Sequence, residues 1–155
     1  MIDTPYAASE RDMLLAYLRR QRELVCWKVT GLDDEAARKT STASGLTIHW
    51  LVWHLGGAEY WWLSCRLGGQ SPEDGDPGLD PDTATLAELV NDYRNECRRS
   101  DEIIAAHQLD DVAADGPPQT LRWMLQHLIE ETSRHLGHLD LLCEQADGRT
   151  GEAPE

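Results

Sequence analysis

Helical periodicity runs through most of this chain and is the feature that most restricts its fold. Four long segments place apolar side chains three and four residues apart, and glycine or proline separates each segment from the next. Such spacing puts the apolar side chains on one face of an α-helix. No stretch alternates apolar and polar residues for long enough to predict a strand. The pattern therefore predicts an all-α protein whose helices bury their apolar faces against one another.

Cap residues set the limits of the predicted helices. Ser9 and Thr85 each precede an acidic residue by three positions, as in a capping box, and glycines follow three of the apolar patterns. The predicted helices span residues 9–30, 47–67, 85–107 and 120–147, with a short extra turn beginning near Leu32. Two connections are longer than tight turns, which permits a topology other than simple up-down-up-down. A chain of 155 residues with this pattern is expected to form one domain, residues 1–155, a four-helix bundle.

The charge of the chain disfavours two classes of partner. With 28 acidic and 14 basic side chains, the formal net charge is −14. Nucleic-acid binding needs a basic surface, and an anionic membrane attracts basic segments, so neither partner is expected. Seven acidic residues and no basic residue lie between residues 68 and 92. This stretch is predicted to be a solvated loop that leads into the third helix.

Three further patterns concern the cellular compartment. No apolar run approaches the roughly 20 residues that a membrane helix requires. The N-terminus also lacks the basic and apolar regions of a secretory signal. The four cysteines are widely separated and include no CxxC pair, so they are predicted to be free thiols in or near the core. We therefore expect a cytoplasmic protein.

A ridge of ionisable side chains follows the fourth predicted helix. Glu131 and His135 lie one turn apart on the same face, with His127 one turn earlier and His138 three residues later. A carboxylate and an imidazole four residues apart can bind one metal ion, because their Cβ atoms lie about 5–6 Å apart. The pair alone is a weak signal, since it occurs by chance in many helices. A site needs a third ligand from another helix.

His54 is the candidate for that third ligand. It lies in the middle of the second predicted helix, in the same apolar pattern as Trp50, Trp53 and Trp61. A single histidine in such a position is more often a hydrogen-bonded core residue than a ligand. Opposite a His/Glu ridge, however, it completes a set of two histidines and one carboxylate. Such a set binds divalent metals and leaves open positions for water or substrate.

Two stretches of the sequence resemble a known family. Residues 51–62, LVWHLGGAEYWW, resemble the second helix of the DinB-like metalloprotein superfamily, and residues 130–140, EETSRHLGHLD, resemble its fourth. The resemblance extends over about residues 10–148. It is closest to the actinobacterial branch of DinB-like proteins related to the metal-binding domain of mycothiol-dependent maleylpyruvate isomerase. It implies a DinB-like four-helix bundle.

The resemblance also implies a ligand set. Members hold the metal with one histidine of the second helix and two residues, four apart, of the fourth, the last of them two residues before a glycine. In this chain these positions are His54, Glu131 and His135, followed by Gly137, and spacing and polarity favour the same three residues. We expect one divalent ion, zinc first, with nickel, iron or manganese as alternatives. His138 is the candidate catalytic residue. It could act as a general base, a fourth ligand or a hydrogen-bonding partner of a ligand, and the alternative is a surface or other hydrogen-bonding role.

The function that the resemblance implies is thiol chemistry. A low-molecular-weight thiol such as mycothiol, made nucleophilic by the metal, would serve a thiol transfer or a thiol-dependent isomerisation. The alternatives are a metal-dependent hydrolase, a non-catalytic metal-binding or stress-related dimeric bundle, and a purely structural bundle with vestigial ligands. The family also implies a homodimer. Glu59 and Asp140 are predicted to accept hydrogen bonds from the ligand imidazoles.

Overall fold

Four long helices form the predicted bundle in the computed structural model, which describes residues 4–74 and 78–150. They are α1 (Glu10–Val29), α3 (Ile48–Glu59), α4 (Leu86–Ala106) and α5 (Leu121–Asp147), with a short α2 (Asp34–Lys39) after α1. A π-helical segment, Tyr60–Leu67, continues α3, and a 3-10 turn, Pro72–Asp74, follows it. The described part of the chain contains two isolated β-bridges and no strand. The all-α prediction is confirmed, while residues 75–77 of the predicted acidic loop lie outside the described residues.

The long helical segments begin and end within one residue of the predicted limits, and the predicted cap residues explain this agreement. Ser9 accepts a hydrogen bond from the backbone N–H of Asp12, and Thr85 forms a full capping box with Glu88. At the other end of the chain, Gly148 closes α5 with a φ of 75°. The side chains of Ser9 and Thr85 thus satisfy backbone N–H groups that the start of a helix leaves unpaired.

The second predicted helix differs from the prediction, because its winding changes at Tyr60. The Gly68 N–H donates to the carbonyl of Leu63, five residues earlier, at 2.9 Å. A Cβ at Gly68 would lie 2.8 Å from the carbonyl oxygen of Ser64, so glycine is required where the segment ends. Arg66 donates to carbonyls of the loop between α4 and α5, which holds the segment from its other side. Apolar spacing alone does not separate π from α winding.

The buried face of α3 also differs from the predicted one. Ile48, Leu51 and Leu55 are at most 1% exposed. The tryptophans that were predicted to share the buried stripe are 37–45% exposed, namely Trp50, Trp53 and Trp61. Because apolar residues occur all around this helix, periodicity did not identify which face packs into the core.

Helix packing places α3 beside α5. α1 packs mainly against α5, and α3 packs mainly against α4 and also against α5. Two apolar clusters fill the interior, one around Leu51 and Tyr93 and the other around Leu18 and Met124. Side chains from the middle of α3 can therefore meet side chains from the middle of α5.

A buried ion pair crosses this core. Arg22 of α1 donates from Nε and Nη2 to the two carboxylate oxygens of Glu59, each at 2.6 Å. The two side chains are only 7% and 1% exposed. Asp101 of α4 accepts a third hydrogen bond from Arg22 at 2.8 Å. The guanidinium thus links α1, α3 and α4.

The cysteines and the lengths of the helices bear on two further predictions. All four cysteines are free thiols, and three of them are buried, as the spacing predicts. Within the described ranges, the helices are too short or too polar to cross a membrane.

Candidate metal centre

His54 reaches the candidate site from the middle of α3. Thr47 caps this helix by accepting a hydrogen bond from the backbone N–H of Trp50 at 3.2 Å. This cap lies about two turns before His54. The Trp50 indole lies nearly parallel to the His54 ring, with centroids 4.6 Å apart and planes at 8°. This stacking restricts rotation of the imidazole, whose Nε2 points to α5.

Glu131 and His135 supply the other two donors from α5. Their spacing of four residues places them one turn apart on the same face. Oε1 of Glu131 lies 2.9 Å from Nε2 of His54 and 3.1 Å from Nε2 of His135. One ligand atom from each residue lies within 4.8 Å of the other two. The structure therefore brings together the three residues that were predicted as ligands.

The donor set fits a divalent ion. In a tetrahedral zinc site with bonds of about 2.0–2.1 Å, neighbouring ligand atoms are about 3.3–3.4 Å apart, slightly farther than the 2.9 and 3.1 Å between Oε1 of Glu131 and the two imidazole nitrogens. Two imidazoles and one carboxylate also suit iron, nickel or manganese. The side chains of His54, Glu131 and His135 are 30%, 19% and 13% exposed. A small molecule can thus reach the open side of the cluster.

Electrostatics keep two of the donors in the forms that bind a metal. Burial raises the pKa of the Glu131 carboxyl, but the hydrogen bond from His54 and the field of His135 outweigh it, and the net pKa lies below the ordinary value. Burial lowers the pKa of His135, and the opposing effect of Glu131 does not cancel this. At neutral pH, Glu131 is therefore a carboxylate and His135 a neutral imidazole with a free lone pair.

His138 contacts the cluster through His135. The Nδ1 atoms of the two imidazoles are 3.3 Å apart, so one of them carries the proton and the other accepts it. His135 uses its other nitrogen, Nε2, toward Glu131. Within the part of the chain that the structure describes, the group of donor atoms close enough to share an ion does not include His138.

Glu59 and Asp140 do not orient the ligand imidazoles, and this prediction was wrong. Glu59 receives both of its hydrogen bonds from Arg22, and Asp140 pairs with Nζ of Lys28 at 2.6 Å. Each carboxylate lies five residues after a candidate histidine ligand on its helix. Five residues correspond to about 140° around a helix axis, so the carboxylate faces another neighbour.

An aromatic groove adjoins the cluster, and its shape was not evident from the sequence. His127, predicted to extend the ridge, stacks on Trp123 with centroids 5.0 Å apart and planes at 11°. Trp62 meets the same imidazole edge-on at 4.9 Å. The groove has a volume of about 280 Å³ and is lined by Trp53, His54, Gly57, Ala58, Trp61, Trp62, His127 and Glu131. The available signal was the run of tryptophans around His54, but spacing did not show that Trp62 and His127 meet.

A larger cavity of about 680 Å³ lies between α1 and α4, which make little contact with each other. Its lining includes Arg22, already bound to Glu59 and Asp101, and the thiol of Cys97. Burial raises the pKa of that thiol far above its ordinary value, which makes it a poor nucleophile. The cavity shares no residue with the His/Glu cluster, so the cluster is the better candidate for chemistry.

Fold and site together define a class of protein: an all-α bundle with two histidines and one carboxylate gathered between two of its long helices. The chain belongs to the mycothiol S-transferase family, whose model matches residues 13–148 and so includes all three candidate ligands. The resemblance to DinB-like proteins related to mycothiol-dependent enzymes is thereby confirmed. A comparison with curated proteins finds no match.

Proposed function

We propose that this protein is a metal-dependent thiol transferase whose thiol substrate is mycothiol. The family supports a transferase that acts on a small thiol. The observation that carries the metal dependence is the cluster of His54, Glu131 and His135, which has donor atoms within 4.8 Å of one another and one open side. Zinc is the ion expected first, and nickel, iron and manganese stay alternatives.

The chemistry requires a thiolate at neutral pH. A divalent ion held by His54, Glu131 and His135 would lower the pKa of a thiol at its open position. The chain prepares the site by keeping Glu131 ionised and His135 neutral, and by fixing the His54 ring against Trp50. In the transfer, the thiol sulfur forms a bond to an electrophilic carbon. The thiol proton leaves to solvent when a leaving group departs, or returns to the product when the carbon belongs to a double bond.

We propose that His138 is a positioning residue. A proton on Nδ1 of His135 can be donated to Nδ1 of His138 across 3.3 Å, which leaves Nε2 of His135 free for the metal. His138→Ala should therefore weaken metal binding about 10–100-fold, and His138→Asn should restore part of it. Direct proton transfer from His138 to a substrate stays a prediction, as do the homodimer and the cytoplasmic location.

Metal analysis of untagged protein tests the site. We expect about one divalent ion per chain, and loss of that ion in the triple variant His54→Ala, Glu131→Ala, His135→Ala. His107→Ala is the matched control, because His107 pairs with the carbonyl of Ile103 and lies outside the cluster. Unchanged metal content in the triple variant would refute the ligand assignment.

A second measurement tests the thiol. Cobalt-substituted protein should change its visible absorption when mycothiol is added, because sulfur enters the coordination sphere. Protein that binds cobalt without any spectral response to mycothiol would contradict the transferase and favour a non-catalytic metal-binding bundle.

A further inference from the structure

We propose that the aromatic groove binds the second substrate, and that this substrate is an uncharged, flat molecule with an aromatic or conjugated electrophilic carbon. This inference rests on the proposed function, because it names the acceptor of the thiol at the same site.

The groove is placed to deliver a molecule to the cluster. His54 and Glu131 belong both to the ligand set and to the lining of the groove. Gly57 leaves open space beside them, since a Cβ built there would meet no atom within 4 Å. A molecule lying in the groove therefore borders the open side of the cluster.

The walls of the groove are flat rings that solvent can reach. Trp53 is 38% exposed and Trp61 is 45% exposed, although indoles are favoured in buried environments. Trp62 contacts the His127 ring edge-on, and Trp123 stacks on the same ring. The wall formed by Trp62 and His127 is therefore in place before any ligand binds. A flat ring that covers the exposed indoles gains about 25 cal/mol for each Å² of apolar area buried, and stacking geometry adds to this.

The volume of the groove and the charge of its lining restrict the kind of molecule that it can bind. A volume of about 280 Å³ is at the lower end for small-molecule sites, which fits one or two rings. Among the described residues that line the groove, Glu131 is the only carboxylate and none is lysine or arginine. An anionic group would therefore find no basic side chain there, and the one carboxylate already pairs with His54 and His135, so the part of the substrate that enters is uncharged.

Equilibrium dialysis of metal-free protein with 1,3-dinitrobenzene tests the groove. This probe is flat and uncharged and has no leaving group, so its binding needs neither metal nor thiol. Trp61→Ala removes one wall, and Gly57→Leu fills the groove while leaving the walls and ligands in place. We expect each variant to bind the probe about tenfold more weakly than the wild type.

Trp27→Ala is the matched control, because Trp27 lines the larger cavity between α1 and α4. Unchanged probe binding in this variant supports the groove, whereas weakened binding would place the probe in the other cavity and overturn the inference. Equal affinity of wild type and Gly57→Leu would overturn it as well. So would a homodimer that dissociates in Trp61→Ala and Gly57→Leu, because the groove would then be an interface between two copies.

The outcomes also separate this inference from the proposed function. A protein that takes up no divalent ion when one is supplied, and still binds the probe, would refute the metal-dependent transferase and leave the groove intact. Metal and thiol binding without probe binding would refute the groove alone. In the loaded enzyme, Gly57→Leu should raise KM for a conjugated electrophile and leave KM for mycothiol unchanged.

Discussion

Replacing Glu59 by glutamine removes the carboxylate that holds the buried guanidinium of Arg22. Two hydrogen bonds of 2.6 Å lose their charged acceptor, and the positive charge stays in a side chain that is only 7% exposed. An uncompensated buried charge costs about 3–5 kcal/mol. Asp101 still accepts one hydrogen bond from Arg22, and its side chain is 37% exposed. We therefore expect the free energy of unfolding to fall by about 3 kcal/mol, the lower end of that range.

Urea unfolding followed by circular dichroism measures this loss. With a urea dependence of about 1–3 kcal/mol per M, the midpoint should fall by about 1–3 M. The matched control is Glu10→Gln, which breaks the pair of Glu10 with Arg122 on the surface, where the side chains are 56% and 38% exposed. That change should leave the urea midpoint nearly unchanged, because exposed ion pairs contribute little to stability.

A double variant separates lost charge compensation from lost packing. Arg22→Met with Glu59→Leu removes both charges and keeps apolar volume, so it should be more stable than Glu59→Gln alone. Metal content should stay unchanged in Glu59→Gln, because Glu59 faces Arg22 and not the ligand cluster. A Glu59→Gln protein as stable as the wild type would refute the reasoning.

Three further changes test the caps and one buried thiol. Thr85→Ala breaks the capping box of α4 and should lower the free energy of unfolding by about 1 kcal/mol, visible as a lower Tm. Gly148→Ala places a Cβ at a φ of 75° and should lower Tm by a similar amount, since L-residues disfavour that conformation by about 1–2 kcal/mol. An unchanged Tm in either variant would contradict the corresponding expectation. Burial raises the pKa of Cys143 from 9.0 to about 11, so the thiol's stabilising contribution is complete below pH 9 and is lost as the pH rises through 11. In Cys143→Ala, the decline in the free energy of unfolding over this interval should be shallower by up to about 1.4 kcal/mol per pH unit, and an unchanged slope would contradict the assignment.

The sequence predicts well what depends on spacing within one helix. Glu131 and His135 form a pair because four residues make about one turn, and caps such as Thr85 mark a helix end directly. The pairing of α3 with α5 depends on packing between distant segments. The prediction that His54 joins the other two candidate ligands therefore rested on its position opposite the His/Glu ridge and on the resemblance, not on periodicity.

The sequence did not reveal how each helix is rotated about its axis or which charged side chains are buried. Glu59 and Asp140 belong to the right helices but face other neighbours. Arg22 and Lys28 are buried, although such residues usually remain exposed unless they are paired. The tryptophans of α3 are large and apolar, yet they surround the candidate site and not the core.

The hydrogen bond between His54 and Glu131 joins residues that are 77 positions apart in the sequence. Closing so long a loop costs chain entropy, which the packing of α3 on α5 must offset before the three donors can meet. A chain emerging from the ribosome makes α5 after the other three long helices of the bundle, so His54 has no partner donors until α5 has formed. On the proposed function, capture of a metal ion would report that the bundle has formed, because a chain without α5 cannot present the full set of donors.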